Sequence, residues 1–158
     1  MTIRTADVRG IIIRRFGERT EAASGLTDAL CRQLGSLRPG HTSFGDLQEK
    51  LQDILYAGLH AALGDAMMYT DGIRWFRVTT KDLSDTADEL MGLVFRELSE
   101  TPEHFDMIRS WAFQNGSLSA LQCLSERYAA WQTPKEQAMM RSIWQERNEN
   151  ERKSRFIQ

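Results

Sequence analysis

Apolar residues recur at helical spacing along most of this chain, and at strand spacing in one short stretch. The longest pattern runs from Phe44 to Leu63, where Phe44, Leu47, Leu51, Ile54, Leu55, Leu59 and Leu63 keep the 3.6-residue period. Ser43 can cap its first turn, with Asp46 three residues on, and Gly64 can end it. Val8, Ile11, Ile12 and Phe16 form a stripe that predicts a helix from Asp7 to Phe16, stopped by Gly17. The β-branched triplet Ile11-Ile12-Ile13 makes a strand over residues 8–16 the alternative there. Ala23, Leu26, Leu30, Leu34 and Leu37 predict a helix from about Thr20 to Leu34, followed by a loop broken by Pro39 and Gly40.

Between residues 67 and 80 the pattern changes. Met67-Met68-Tyr69-Thr70 and Ile73-Arg74-Trp75-Phe76-Arg77-Val78-Thr79-Thr80 are rich in aromatic and β-branched residues and flank Asp71-Gly72. Asp-Gly suits a two-residue type I′ turn, so the stretch predicts a β-hairpin. A lone hairpin is unstable in water, so this one must lie against helices. Strand alternation turns Trp75 and Phe76 to opposite faces, which leaves one of the two aromatics available as a contact surface.

Helical period resumes at Leu83, Ala87, Leu90, Met91, Val94 and Leu98. Thr101-Pro102 starts another helix that turns His104, Ile108, Trp111 and Ala112 inward, and Asn115-Gly116 breaks it. Ser119 with Gln122 can open a further helix carrying Leu121, Leu124, Tyr128 and Trp131. Thr133-Pro134-Lys135-Glu136 begins the last one, with Met139, Met140, Ile143 and Trp144 as its apolar face. Together these elements predict one mainly α domain over residues 1–158. It is a helical bundle of five to seven helices with one small hairpin, becoming α+β if residues 8–16 form a strand.

A chain of 158 residues with 41% hydrophobic and 27% charged content can bury a core without staples. Its two cysteines, Cys31 and Cys123, are too few and too far apart for a disulfide framework or a zinc site, and read as buried thiols. No apolar run approaches a bilayer span, and the first residues lack the basic-then-apolar layout of a secretory signal. A cytoplasmic location with no membrane partner is the expectation. The net charge of −2 is unevenly divided: residues 1–43 carry +3, residues 44–106 carry −8 and residues 107–158 carry +3. Such a division can steer partners by sign.

Catalytic chemistry is hard to find in this sequence. His41, His60 and His104 fall in three different elements, with no His-Glu-x-x-His or Cys-x-x-Cys spacing. Glu97, Glu100, Glu103, His104 and Asp106 cluster in sequence but straddle a helix boundary, where first-turn carboxylates meet the helix dipole. There is no Gly-x-Ser-x-Gly elbow and no glycine-rich phosphate loop. His60, one turn from Tyr56, reads as a satisfied, partly buried histidine. The expectation is a protein without catalytic activity, cofactor or metal.

Two functions remain. Residues 102–150 can be drawn as a helix-turn-helix-like unit whose last helix reads DNA. Lys135, Arg141, Gln145 and Arg147 would then face the groove, and Arg152, Lys153 and Arg155 would trail toward phosphates. That makes the protein a small DNA-associated regulator. Glu136, Glu146, Glu149 and Glu151 on the same segment weigh against it. The alternative is a protein–protein module: an adaptor, inhibitor or assembly subunit. It would use an acidic central surface at Asp85, Asp88 and Glu89 together with Arg74, Trp75, Phe76 and Arg77 of the hairpin, and a second copy of the chain is among its eligible partners.

Overall fold

The computed structural model describes residues 2–21, 25–128, 138, 141–143, 145, 146 and 149. The elements are α1 (Thr5–Phe16), α2 (Glu18–Glu21), α3 (Leu26–Gly35), α4 (Phe44–Leu63), β1 (Met68–Thr70), β2 (Trp75–Arg77), α5 (Thr80–Leu98), α6 (Pro102–Asn115) and α7 (Leu118–Tyr128). Residues 138, 141–143, 145, 146 and 149 are helical as well. The protein is a mainly α bundle carrying one antiparallel two-stranded hairpin.

The Ile11-Ile12-Ile13 segment is helical, and Val8, Ile11, Ile12 and Phe16 are its buried face. A β-branched residue in a helix costs only about 0.5 kcal/mol relative to alanine, whereas burying an isoleucine gains about 1.5–3 kcal/mol. Burial on the helical stripe therefore wins over local strand preference. The helix expected from about Thr20 to Leu34 is divided instead. α2 covers Glu18–Glu21, and α3 begins at Leu26 after Gly25 in a left-handed conformation. Thr20, expected at a helix start, is buried and donates its hydroxyl to the Gly17 carbonyl at 2.6 Å. Ala23 lies outside the described residues.

α4 matches its predicted bounds, and the Ser43 hydroxyl accepts from the Asp46 amide at 3.0 Å as the cap requires. α5 starts with a capping box in which Thr79 and Asp82 each bond the other's backbone amide. α7 starts before the predicted Ser119. The Ser117 carbonyl accepts from the Leu121 amide and its hydroxyl from the Ala120 amide, so Ser117 caps the helix.

α5 is the central helix and packs on α1, α3, α4, α6 and α7. The main core joins Leu47, Leu51 and Leu55 of α4 to Leu90, Met91, Val94 and Phe95 of α5 and Leu121 and Leu124 of α7. Ile54 packs at its rim rather than inside. Phe44 anchors one end, with Phe95 and Trp111 edge-on to its ring. A second cluster, built from Phe16, Leu59, Met67 and Tyr69, sits under the hairpin.

Candidate interaction surface

The hairpin is rooted in that second cluster. Phe16 meets Tyr69 edge-on at 5.3 Å, and Phe76 stacks on Tyr69 at 5.4 Å. Met67, which joins α4 to β1, is nearly buried and holds a positive φ of 51°, a conformation that costs a non-glycine residue energy and is kept by its packing. Its carbonyl accepts from the Val78 amide at 2.8 Å, which closes the open end of the hairpin.

The turn differs from the expected type I′. Thr70 pairs with Trp75, Tyr69 with Phe76 and Met68 with Arg77, so the loop has four residues, Asp71 to Arg74. Type I′ needs positive φ at both central residues. Here Gly72 has φ 96° and Asp71 is not in the positive region. The Asp71 carboxylate instead accepts from the Ile73 and Arg74 amides at 2.9 and 2.8 Å. The amides of Arg74 and then Ile73 hold the Asp71 carboxyl below its ordinary pKa of 3.8. The Thr70 hydroxyl accepts from the Gly72 amide and donates to the Arg74 carbonyl, locking the loop from the other side.

On this fixed frame Ile73 is 89% exposed and Trp75 56% exposed, next to the exposed side chains of Arg74 and Arg77. Trp75 is thus the outward aromatic of the pair, and Phe76 the one that faces the protein. Among the described residues the third large exposed apolar side chain is Tyr56, on α4.

Asp85, Asp88 and Glu89 do not form the acidic surface expected for them. Asp85 is buried and accepts from Lys81 Nζ at 2.6 Å. Asp88 is 3% exposed and accepts from the Ser117 hydroxyl at 2.5 Å and the Ser119 amide at 3.0 Å. Glu89 accepts from Arg14 and from Arg15, both on α1. Glu89 ties α5 to α1 and Asp88 ties it to the start of α7, while Asp85 pairs within α5 itself. The small cleft between them, about 90 Å³, is lined by Arg15, Asp85, Asp88, Ser119 and Gln122, room for a few waters. Local pattern could not reveal this, because Arg14, Arg15 and Ser117 lie far from α5 in sequence.

Of the residues expected to meet DNA, Arg141 and Gln145 are described. Both are helical and exposed, and so are Glu146 and Glu149 nearby. Lys135, Arg147, Arg152, Lys153 and Arg155 lie outside the described residues, as do Trp131 and Trp144. Ile143 packs against the main core, and with Glu146 it borders a shallow groove shared with Thr80, Lys81, Ser84 and Asn115.

The remaining chemistry-bearing groups are dispersed. His60 is more exposed than its sequence context suggests, and its Nε2 lies 2.7 Å from Asp65 Oδ1. Cys123 is buried, whereas Cys31 is only partly so. Among the described residues, no group of three His, Cys, Asp or Glu side chains converges as a metal would need, and no helix is long and apolar enough to cross a membrane. No family model, curated protein or solved structure matches this chain.

Proposed function

We propose that the protein is a non-enzymatic protein-binding module whose contact surface is the hairpin tip. The observation that carries this is the exposure of Ile73 and Trp75 side by side on a hairpin whose other face is anchored. Folding does not need Trp75 at that position, since Tyr69 and Phe76 already root the hairpin in the core. Tryptophan and arginine dominate the residues that carry binding energy at protein interfaces. The tip is also pre-organised: Asp71 and Thr70 fix its loop, so little ordering entropy is lost on contact. The complementary partner is a protein with an apolar slot for Trp75 and Ile73 and acidic groups at its rim for Arg74 and Arg77.

DNA association through the last helix is the second proposal. It is favoured by Arg141 and Gln145, exposed one turn apart on that helix. The exposed Glu146 and Glu149 oppose phosphate contact there.

Affinity capture with the full chain, followed by mass spectrometry, separates the two. A protein partner is retained by the wild-type chain and lost with Trp75→Ala. If instead the chain holds random duplex DNA with affinity that falls steeply as salt rises, and Trp75→Ala changes nothing, the hairpin is not the contact surface.

A further inference from the structure

The surface that fits the hairpin tip is present on the chain itself. Along the outer face of α4, Asp46, Glu49, Asp53, Tyr56 and His60 follow one another at spacings of three and four residues, and all are exposed. This is the helical neighbour rule, so they form one stripe. Asp46, Glu49 and Asp53 have no ion-pair partner among the described residues, and α4 contains a single lysine, Lys50, and no arginine. Tyr56 is 55% exposed and its ring stacks over His60 with centroids 6.2 Å apart. An acidic row running into an exposed aromatic is the complement of a hairpin face with exposed Ile73 and Trp75 and, toward its open end, a cationic Arg77 that forms no ion pair among the described residues.

We infer that the exposed hairpin face of one copy docks on the α4 stripe of a second copy, with Arg77 meeting the row at Asp53 and Trp75 packing on Tyr56. This rests on the hairpin being a protein-contact surface, and it names the partner. The large exposed apolar side chains among the described residues are Tyr56, Ile73 and Trp75, and this contact covers all three. The hairpin follows the C-terminal end of α4 within a few residues of Gly64, the end of the stripe that carries Tyr56 and His60. A two-fold arrangement lets each copy give one hairpin and receive one, a closed, isologous contact. A standard interface takes roughly 800 Å² per partner, and reciprocity doubles the area that one hairpin contact buries. The acidic helix turns at Glu97, Glu100 and Glu103 are a poorer receiver, because no large exposed apolar side chain accompanies them.

Sedimentation equilibrium of the full chain over a range of concentrations, at low and high salt, tests this. The expected result is a monomer–dimer equilibrium that weakens at least tenfold at high salt. Arg77→Glu and Asp53→Arg should each abolish association alone, because each sets like charges against one another. An equimolar mixture of the two variants should associate again, since each of the two reciprocal contacts then joins opposite charges. Unchanged melting temperatures for both variants exclude unfolding as the cause of the loss. Variants that dimerise as well as wild type, or a mixture that stays monomeric, overturn the docking geometry. A chain that stays monomeric throughout overturns self-association. If that monomer still captures a different protein in a Trp75-dependent way, the hairpin remains a contact surface; if it captures none, both ideas fail.

Discussion

The Ser117 hydroxyl donates to the Asp88 carboxylate at 2.5 Å across the α5–α7 packing, with both residues buried. The Ser119 amide adds a second bond at 3.0 Å, and the Ser119 hydroxyl returns to the Asp88 backbone carbonyl at 2.7 Å. One carboxylate therefore satisfies the first turn of α7 and fixes that helix against α5. Removing it leaves these donors without their acceptor beside the small cleft, a cost of about 1–3 kcal/mol for such a group. Asp88→Ala should lower stability by about that amount in a denaturant titration, whereas Asp7→Ala, on the outside of α1, should cost far less. Equal midpoints for the two variants would show that the α5–α7 bond network does not hold the fold.

How much of this was legible depends on how far apart the interacting residues lie. α4 could be read in full, because its seven-position apolar stripe and its Ser43 cap are local signals. The hairpin was legible as a hairpin, but its loop was not. Asp-Gly suggests a two-residue turn, while the pairing of Tyr69 with Phe76, anchored by Phe16, sets a register that lengthens the loop by two residues. Asp88 and Glu89 read as part of an acidic surface because their partners at α7 and on α1 are remote in sequence. Of the candidate site, strand alternation showed that Trp75 and Phe76 face opposite ways, but not which of them is outward; that is set by the packing of Phe76 on Tyr69. The exposed Ile73 beside it depended on the loop and could not be read.

Two helix-interior glycines should respond in opposite directions to the same substitution. A Cβ on Gly58 of α4 would collide with Leu26 Cδ1 and lie 3.0 Å from its Cγ, and Leu26 is buried. Gly58→Ala should therefore destabilise by about 1–3 kcal/mol, the usual cost of overpacking. A Cβ on Gly10 of α1 meets nothing within 4 Å, so Gly10→Ala should stabilise by roughly 0.5–1 kcal/mol through helix preference alone. Thermal melts of the two variants read both signs; a stabilised Gly58→Ala would contradict the close approach of α3 and α4.

The hairpin loop should loosen in acid because of Asp71. Its folded-state pKa is lowered from 3.8, chiefly by the Arg74 amide and then by the Ile73 amide. A depressed carboxyl contributes stability above its unfolded pKa and loses that contribution as pH falls through the folded value. Amide exchange at Ile73 and Arg74 should thus quicken as pH drops below 3.8, beyond the intrinsic pH effect, and Asp71→Ala should show fast exchange at every pH. An unchanged acid response in Asp71→Ala would assign the loosening to another group.

Gly72 carries φ 96° at the loop, a region that β-branched side chains resist. Gly72→Val should cost about 1–3 kcal/mol locally. It should weaken exchange protection of the β1–β2 amides more than that of α4 or α7, and it should reduce partner binding along with the order of the tip. Full protection of the hairpin in Gly72→Val would contradict the described loop.

Whether the hairpin tip contacts another protein can be read by photocrosslinking in the native host. Ile73 is replaced by a photoreactive phenylalanine analogue, and the same analogue at exposed Gln114 on α6 serves as the control. A protein adduct is expected from position 73, absent from position 114, lost on Trp75→Ala and unaffected by charge reversal of Arg152, Lys153 and Arg155. No adduct from position 73, together with retention on duplex DNA that the tail reversal abolishes, would contradict it.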